Sequence, residues 1–316
     1  MLSSAVGTFT DPDDYAGSLQ GTSAQLAIIE RGSFAAKLIR VKLHRQWMQR
    51  FSESLPRIGH YANDAGRAVI TFRTRPGPSV ITAGLEMSMS NILLHGSAQE
   101  YFRRSSGSFE LASMSISVEV LASASASIAG RDLKLPDGTV SIVPTAAAKA
   151  KLLDLHAAAG TLAEHAPTVI ADAAAAHGLE QAMIEATVAC LAGDDGYEED
   201  TAAQRQHAAI MRKFYGVIER HLDEPLYIPE LCAEIGVSER TLRVCCQEYL
   251  RISPKRYLLL RRMHLARRAL RRSEPAGATV TEVATRYGFW QFGRFAGEYK
   301  ALFGESPSAM LARAAE

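Results

Sequence analysis

Two helix-turn-helix patterns stand in tandem in the last third of this 316-residue chain, 52 residues apart. The first runs Leu231-Cys232-Ala233-Glu234-Ile235-Gly236-Val237-Ser238 and on to Leu242. The second runs Val283-Ala284-Thr285-Arg286-Tyr287-Gly288-Phe289-Trp290 and on to Phe295. Each sets an apolar residue before a small one, then a glycine where the turn needs a permissive backbone, then an apolar plug. A shared tail closes both, because Ile252-Ser253-Pro254 recurs as Glu305-Ser306-Pro307, 53 positions later. The change from 52 to 53 places one inserted residue just after Trp290. A repeat that matches at the turn and again at the tail constrains this third of the chain to two helical subdomains on one plan.

The length suggests two domains rather than one. With 47% hydrophobic and 22% charged residues, the composition is that of an ordinary globular protein able to bury real cores. The net charge of +1 hides an asymmetry: residues 201–316 hold 19 Lys and Arg against 12 Asp and Glu, and residues 1–200 hold 16 against 22. A basic end joined to an acidic body is the footprint of a nucleic-acid-binding module attached to something else. Four cysteines (Cys190, Cys232, Cys245 and Cys246) are too few and too badly spaced for a disulfide framework or a zinc site, and read as small buried thiols. The start shows no export signal, and no apolar run approaches the roughly 20 residues of a membrane span. The expectation is a soluble cytoplasmic protein with no membrane partner.

The fold expected is α+β. Residues 1–145 read as β-rich, a small barrel or sandwich. Short apolar runs at Ala27-Ile28-Ile29, Ala68-Val69-Ile70-Thr71-Phe72 and Val80-Ile81-Thr82 are separated by the turn signals Asn63-Asp64-Ala65-Gly66 and Arg75-Pro76-Gly77-Pro78. Met114, Ile116, Val118 and Val120 alternate with polar or small residues as a half-buried strand would. Pro136-Asp137-Gly138 reads as a turn before a strand at 140–143. Residues 146–192 read as a helical segment, with helices near 145–165 and 179–191, suited to dimerise or to pack back on the β-domain. An acidic linker follows at 193–204.

Residues 205–316 read as an all-α DNA-binding domain. Ile210, Phe214, Val217 or Ile218, and Leu222 form an apolar stripe. Ser238 is a good N-cap, and Ser253-Pro254 opens a long helix to Arg272, buried through Tyr257, Leu260, Met263, Ala266 and Leu270. A turn at 273–277 ends it.

In a helix-turn-helix the second helix lies in the major groove, so its outward residues matter. In the first repeat, Leu242, Cys245 or Cys246, and Tyr249 have the spacing of the buried stripe. Arg240, Arg243, Val244 and Gln247 then face outward, with Ser238 and Thr241 at the helix start. Arginine offers two donors to guanine O6 and N7, and glutamine can pair similarly with adenine, each good contact worth roughly 1–3 kcal/mol of discrimination. In the second repeat Phe295, Tyr299, Leu302 and Phe303 face inward. Phe292, Gly293, Ala296 and Gly297 face out, with only Gln291, Arg294 and Lys300 near the edges. This helix is expected to supply phosphate or thymine-methyl contacts and to read little sequence. Between the repeats, residues 251–272 carry nine basic residues and no acidic one. Half are assigned to phosphate neutralisation and half to internal pairing with acids such as Glu230 or Glu282.

These residues resemble the DNA-binding domain of the AraC/XylS family of bacterial transcription regulators, over about residues 206–310. The resemblance rests on Val237-Ser238 with Leu242, on Ile252-Ser253-Pro254 with Tyr257-Leu258, and on Arg262-Met263 with Ala266-Arg267. It rests equally on Tyr287-Gly288-Phe289 with Phe295, Phe303-Gly304 and Ser306-Pro307. It implies two subdomains joined by a central helix, with recognition helices in adjacent major grooves about 34 Å apart. Cys245-Cys246 departs from the family's bulky apolar pair, Arg251 replaces a common glycine, and Gly297 stands where a DNA-facing arginine is often found.

In that family an N-terminal β-domain commonly binds a small effector and following helices often dimerise. The front half offers His44, His60, Tyr61, His95, Tyr101, Arg103 and Arg104 as polar candidates, each read first as an ordinary surface or satisfied side chain. No metal-ligand spacing, phosphate loop or nucleophile elbow occurs, so no enzyme, metal or cofactor is indicated. An alkyl-accepting cysteine fused to a DNA-binding domain would need a cysteine in the front half, and the first is Cys190. The leading expectation is a sequence-specific regulator modulated by a small molecule or partner at the front domain; activator is the role expected of it, while the sequence itself does not separate activation from repression. The alternative is a regulator whose front domain only dimerises or docks. Expected partners are double-stranded DNA, RNA polymerase, a small-molecule effector and a second copy of the chain.

Overall fold

The computed structural model describes residues 2–130, 132–192, 202–221, 224, 226–272 and 279–314. The acidic stretch at 193–200, Leu222 and the turn at 273–277 lie outside the described residues.

The front of the chain builds two antiparallel sheets. Seven strands pair in the order β1 (Ser3–Phe9), β3 (Ala36–Lys42), β4 (Gln46–Glu53), β11 (Phe109–Ser117), β6 (Arg67–Arg73), β9 (Ile92–His95) and β12 (Thr139–Ile142). Five pair in the order β2 (Thr22–Ile28), β5 (Arg57–Asn63), β10 (Glu100–Ser105), β7 (Val80–Thr82) and β8 (Leu85–Glu86). Of the expected barrel or sandwich, the structure is the sandwich.

Strand alternation sorts the core into two layers. Leu38, Phe51, Leu93 and Leu111 of the large sheet meet Leu26, Tyr61, Val80 and Tyr101 of the small one. Their neighbours Ile39, Met48, Leu94, Ala112, Met114 and Ile116 point to the opposite face of the large sheet. That face is covered by helices α2 (Val118–Ala129), α3 (Ala146–His165), α4 (Pro167–Ala171) and α5 (Ala173–Leu191). A buried carboxylate fastens this layer: Glu180 accepts from the backbone N–H groups of Arg45 (2.6 Å) and Gln46 (3.2 Å) and from Arg45 Nε (3.1 Å).

Two expectations are corrected here. The strand expected to run through Val118 and Val120 ends at Ser117, whose hydroxyl accepts from Val120 N at 3.1 Å and caps α2. The alternation of Val118 and Val120 is outweighed by that cap. The second long helix begins at Ala173 rather than near 179, because Asp172 caps it through Ala175 N at 2.8 Å.

The C-terminal part is helical: α6 (Ala202–Arg220), α7 (Ile228–Ile235), α8 (Glu239–Leu250), α9 (Pro254–Arg272), α10 (Val280–Arg286), α11 (Phe292–Phe303) and α12 (Pro307–Ala314). Ile210, Phe214, Val217 and Ile218 of α6 are buried with Leu231, Leu242, Cys245, Cys246, Tyr249 and Tyr257 in one core. Leu260, Met263, Ala266 and Leu270 of α9 form a second core with Val283, Phe289, Phe295, Tyr299 and Leu302. The long helix thus carries one subdomain at each end.

The two parts are docked. The His60 ring stacks on Tyr215, and Phe102 packs edge-on to Tyr215 and Tyr257. His264 Nε2 donates to the Ile28 carbonyl at 3.0 Å. The short helix α1 (Pro12–Gly17), capped by Asp11, presents three aspartates to α9. Arg267 reaches Asp11 at 2.7 Å, Arg268 reaches Asp13 at 2.7 Å, and Arg271 reaches both Asp11 (2.6 Å) and Asp14 (2.8 Å). Burial opposes the charge on Asp11, but the hydrogen bond and charge of Arg267 hold its carboxyl below the usual carboxylate value.

Candidate nucleic-acid interface

In the first repeat, Gly236 ends α7 at φ 79°, in the left-handed region that favours glycine. Two residues later Ser238 accepts from Thr241 N at 3.1 Å and starts α8, so the turn angle is fixed by one glycine and one cap. Leu242, Cys245, Cys246 and Tyr249 are buried, both cysteines completely. That burial orients the opposite face. Ser238, Arg240, Arg243, Val244 and Gln247 are exposed, and Thr241 is half-buried beside Ser238. Arg243 pairs along the helix with Glu239 at 2.8 Å, a surface contact of little energetic weight that leaves the guanidinium accessible. Among the described residues the Arg240 and Gln247 side chains bond to no protein group. Burial pushes the Cys245 thiol up to about 11 and raises Cys246 further, so neither forms a thiolate readily.

The second repeat closes its turn differently. Thr279 and Glu282 form a reciprocal capping box at the start of α10, and Gly288 takes φ 74°. Gln291 stands at the N-cap of α11 without a side-chain hydrogen bond. Phe295, Tyr299 and Leu302 are buried, while Gln291, Phe292, Gly293, Arg294, Gly297 and Lys300 are exposed. Arg294 bonds Glu298 at 2.8 Å. A Cβ placed on Gly293 or Gly297 would meet nothing within 4 Å, so packing does not require either glycine. The bare face is a property of the sequence, not a steric necessity.

Trp290, absent from the expected contact set, is 72% exposed at the head of α11. It is the residue just before the one-residue insertion, and that irregularity was the available signal.

The nine basic residues of 251–272 divide by structure. Arg251, Lys255, Arg256 and Arg272 are exposed. Arg261 pairs with Glu219 at 3.0 Å, and Arg262 lies over Phe289 and donates to the Gly288 carbonyl at 3.3 Å, gripping the second turn. Arg267, Arg268 and Arg271 are held by the aspartates around α1. The internal partners are therefore Glu219 and the front domain, not Glu230 or Glu282; Glu282 is taken by its capping box.

Of the polar candidates in the front half, His44 is exposed and Arg104 half-buried. Burial lowers His60 to about 3, keeping it neutral against Tyr215. Tyr61, His95, Tyr101 and Arg103 come together between the sheets: Tyr101 stacks on both Tyr61 and His95, and Arg103 lies over the Tyr61 ring at 4.9 Å. Among the described residues, no group of three or more His, Cys, Asp and Glu side chains could hold a metal ion, and no helix is long and apolar enough to cross a membrane.

Residues 231–313 match the family model described as a helix-turn-helix domain. The "Probable thc operon regulatory protein" of Rhodococcus erythropolis is 46% identical over 102 residues, 32% of this chain and 31% of that protein. The XylDLEGF operon transcriptional activator 3 of Pseudomonas putida is 33% identical over 96 residues, 30% of this chain and 29% of that one. The chain spans about a third of the length of these curated relatives. The crystal structure of the AraC-like transcriptional activator CuxR covers 98% of this chain and 100% of its own at 11% identity, with a TM-score of 0.42. The matched C-terminal segment is thus a helix-turn-helix domain, similar to those of transcription regulators of the AraC/XylS type.

Proposed function

We propose that the chain is a sequence-specific transcription regulator working in the cytoplasm, with α8 as its principal reader of bases. One observation carries the reading. The outward row Arg240, Arg243, Val244 and Gln247 takes no part in packing, on a helix whose orientation is fixed by a glycine turn and a serine cap. Direct readout needs donors held in that way. Arg294, Lys300, Gln291, Phe292 and the exposed basic residues of α9 supply phosphate and methyl contacts. Selection of bound duplexes from a random pool, at low and moderate salt, tests this. A preferred site should emerge, and retention of all sequences equally at both salts would overturn the assignment.

The front domain modulates this activity through a small molecule or partner. Support comes from its docking onto α6, α8 and α9, through which a change in the sandwich reaches the DNA-binding half. A second reading, a front domain that only dimerises or docks on RNA polymerase, takes its support from the helical layer of α3 and α5.

A further inference from the structure

The small sheet turns one face toward the first helix-turn-helix core. Ile58 of β5 and Phe102 of β10 are buried there with Leu250 and Tyr257, and half-buried Ile252 packs against the same core. Arg104 lies two residues beyond Phe102 and stands directly across from Ile58 and Ile81 in the strand register. Residues two apart on a strand share a face, as do residues directly opposite across a pair. The Arg104 side chain therefore points out of the front domain, toward the junction of α8 and α9.

That junction gathers cations. Arg251, Lys255 and Arg256 are exposed on it. Burial, and after it the nearby charge of Arg251, hold the Arg104 guanidinium below the ordinary arginine value; Glu30 and Glu86 act the other way from a distance. Among the described residues none of these four cations enters an ion pair, and the covered Nε of half-buried Arg104 has no hydrogen-bond partner. Arg251 also holds φ 54°, in the left-handed region where glycine costs less. Two guanidiniums are thus brought together against their repulsion, one of them half out of water and the other at a strained turn. Arg240, Val244, Gln247 and Arg251 recur at helical spacing, so Arg251 continues the outward row of α8.

Resting on the reading of α8 as the base-reading helix, we infer that the front domain itself grips the duplex: Arg104 and Arg251 together clamp one backbone phosphate at the edge of the groove that α8 enters. A phosphodiester carries one negative charge on two free oxygens, so it can accept from both guanidiniums and cancel their repulsion. Such a contact fixes position and carries no sequence information. Bound DNA then spans the seam between the two domains and ties them together. Loss of the docking between β10 and α8 would cost the complex that phosphate.

The test uses the full chain and the selected duplex. Arg104→Gln should weaken binding about tenfold at moderate salt, evenly across single-base variants, and reduce the salt slope by about one. Arg251→Gln should do the same, and the two together should lose less than their sum, because they share one phosphate. Duplexes carrying a single uncharged methylphosphonate, walked along each strand, locate it. At one position the parent chain and Arg104→Gln should bind equally. Arg104→Lys keeps the charge without the planar fork, so it should hold the slope and lose roughly threefold in affinity. That difference should vanish at the same methylphosphonate, which carries the test should Arg104→Gln not fold. Inorganic phosphate at matched ionic strength should displace no more duplex than chloride does; displacement particular to phosphate would make this a site for a free anion and overturn the clamp. So would a lower Tm for Arg104→Gln with an unchanged slope, which marks a structural arginine, or the lack of any neutral position that erases the difference. A parent chain that prefers no duplex refutes the reading of α8. A parent that prefers its site while Arg104→Gln matches it in affinity and slope refutes the clamp alone.

Discussion

The first helix-turn-helix half is built into the front domain, whereas the second hangs from the far end of α9. The core of the first includes Ile58 and Phe102 of the small sheet, α8 packs on β10 and β7, and Tyr249 closes over Gly84. The core of the second touches the sandwich through half-buried Ile29, and α11 rests on α10 and α12. The half with the arginines suited to reading bases is also the half the front domain holds. Under the proposed function, a change in the sandwich acts first on α8, and on the second half through α9 and Ile29.

Acid should disturb this arrangement most. Burial, with help from Arg268 and Arg267, lowers His264 to about 3, and burial lowers His60 to about 3. The unfolded chain binds protons on both from about pH 6.5, and the folded chain does not until about pH 3. Stability is therefore fully present above pH 6.5 and falls as pH drops from there. At pH 5 each histidine costs about 2 kcal/mol. Denaturant titrations between pH 7 and 5 check this, and a slope unchanged by His264→Gln would break the account.

The division of labour comes next. Arg243→Ala should flatten preference at one base position by roughly 1–3 kcal/mol, while Arg294→Ala should weaken all sequences evenly and reduce the salt slope by about one. Competition binding across single-base variants decides it. The reverse pattern would exchange the roles of the halves.

The blank face of the second half can be rewritten. Gly297→Arg meets open space in the free protein and removes a helix-interior glycine. It should tighten binding, with a salt slope steeper by about one. No gain in a filter-binding series would mean that α11 stands too far from the duplex to contribute.

The smallest effect concerns Arg251, which ends α8 in the left-handed region at φ 54°. Arg251→Gly should stabilise the first half by a few tenths to about 1 kcal/mol, read as a shift in denaturation midpoint.

How much of this the sequence revealed follows from the range of each interaction. The turns at Gly236 and Gly288, the cap at Ser238 and the buried stripes of α8 and α11 depend on neighbours within one or two turns of helix. They were readable in order. Helix α2 was not, because Val118 and Val120 carry a strand-like alternation and only Ser117 signals otherwise. Nor was α1, although Asp11-Pro12 offered a cap followed by a first-turn proline. The partners of Arg267, Arg268 and Arg271 lie some 255 residues away in sequence and reveal themselves only in the fold.

The aspartates around α1 also bear on how such a protein searches a genome. Three arginines neutralised from within release no counterions from a duplex, so the chain attracts bulk DNA less than its basic half suggests. A molecule that keeps part of its cationic charge in internal use spends less time on irrelevant sequence. Letting go of those three side chains would lengthen every non-specific encounter before altering any specific one.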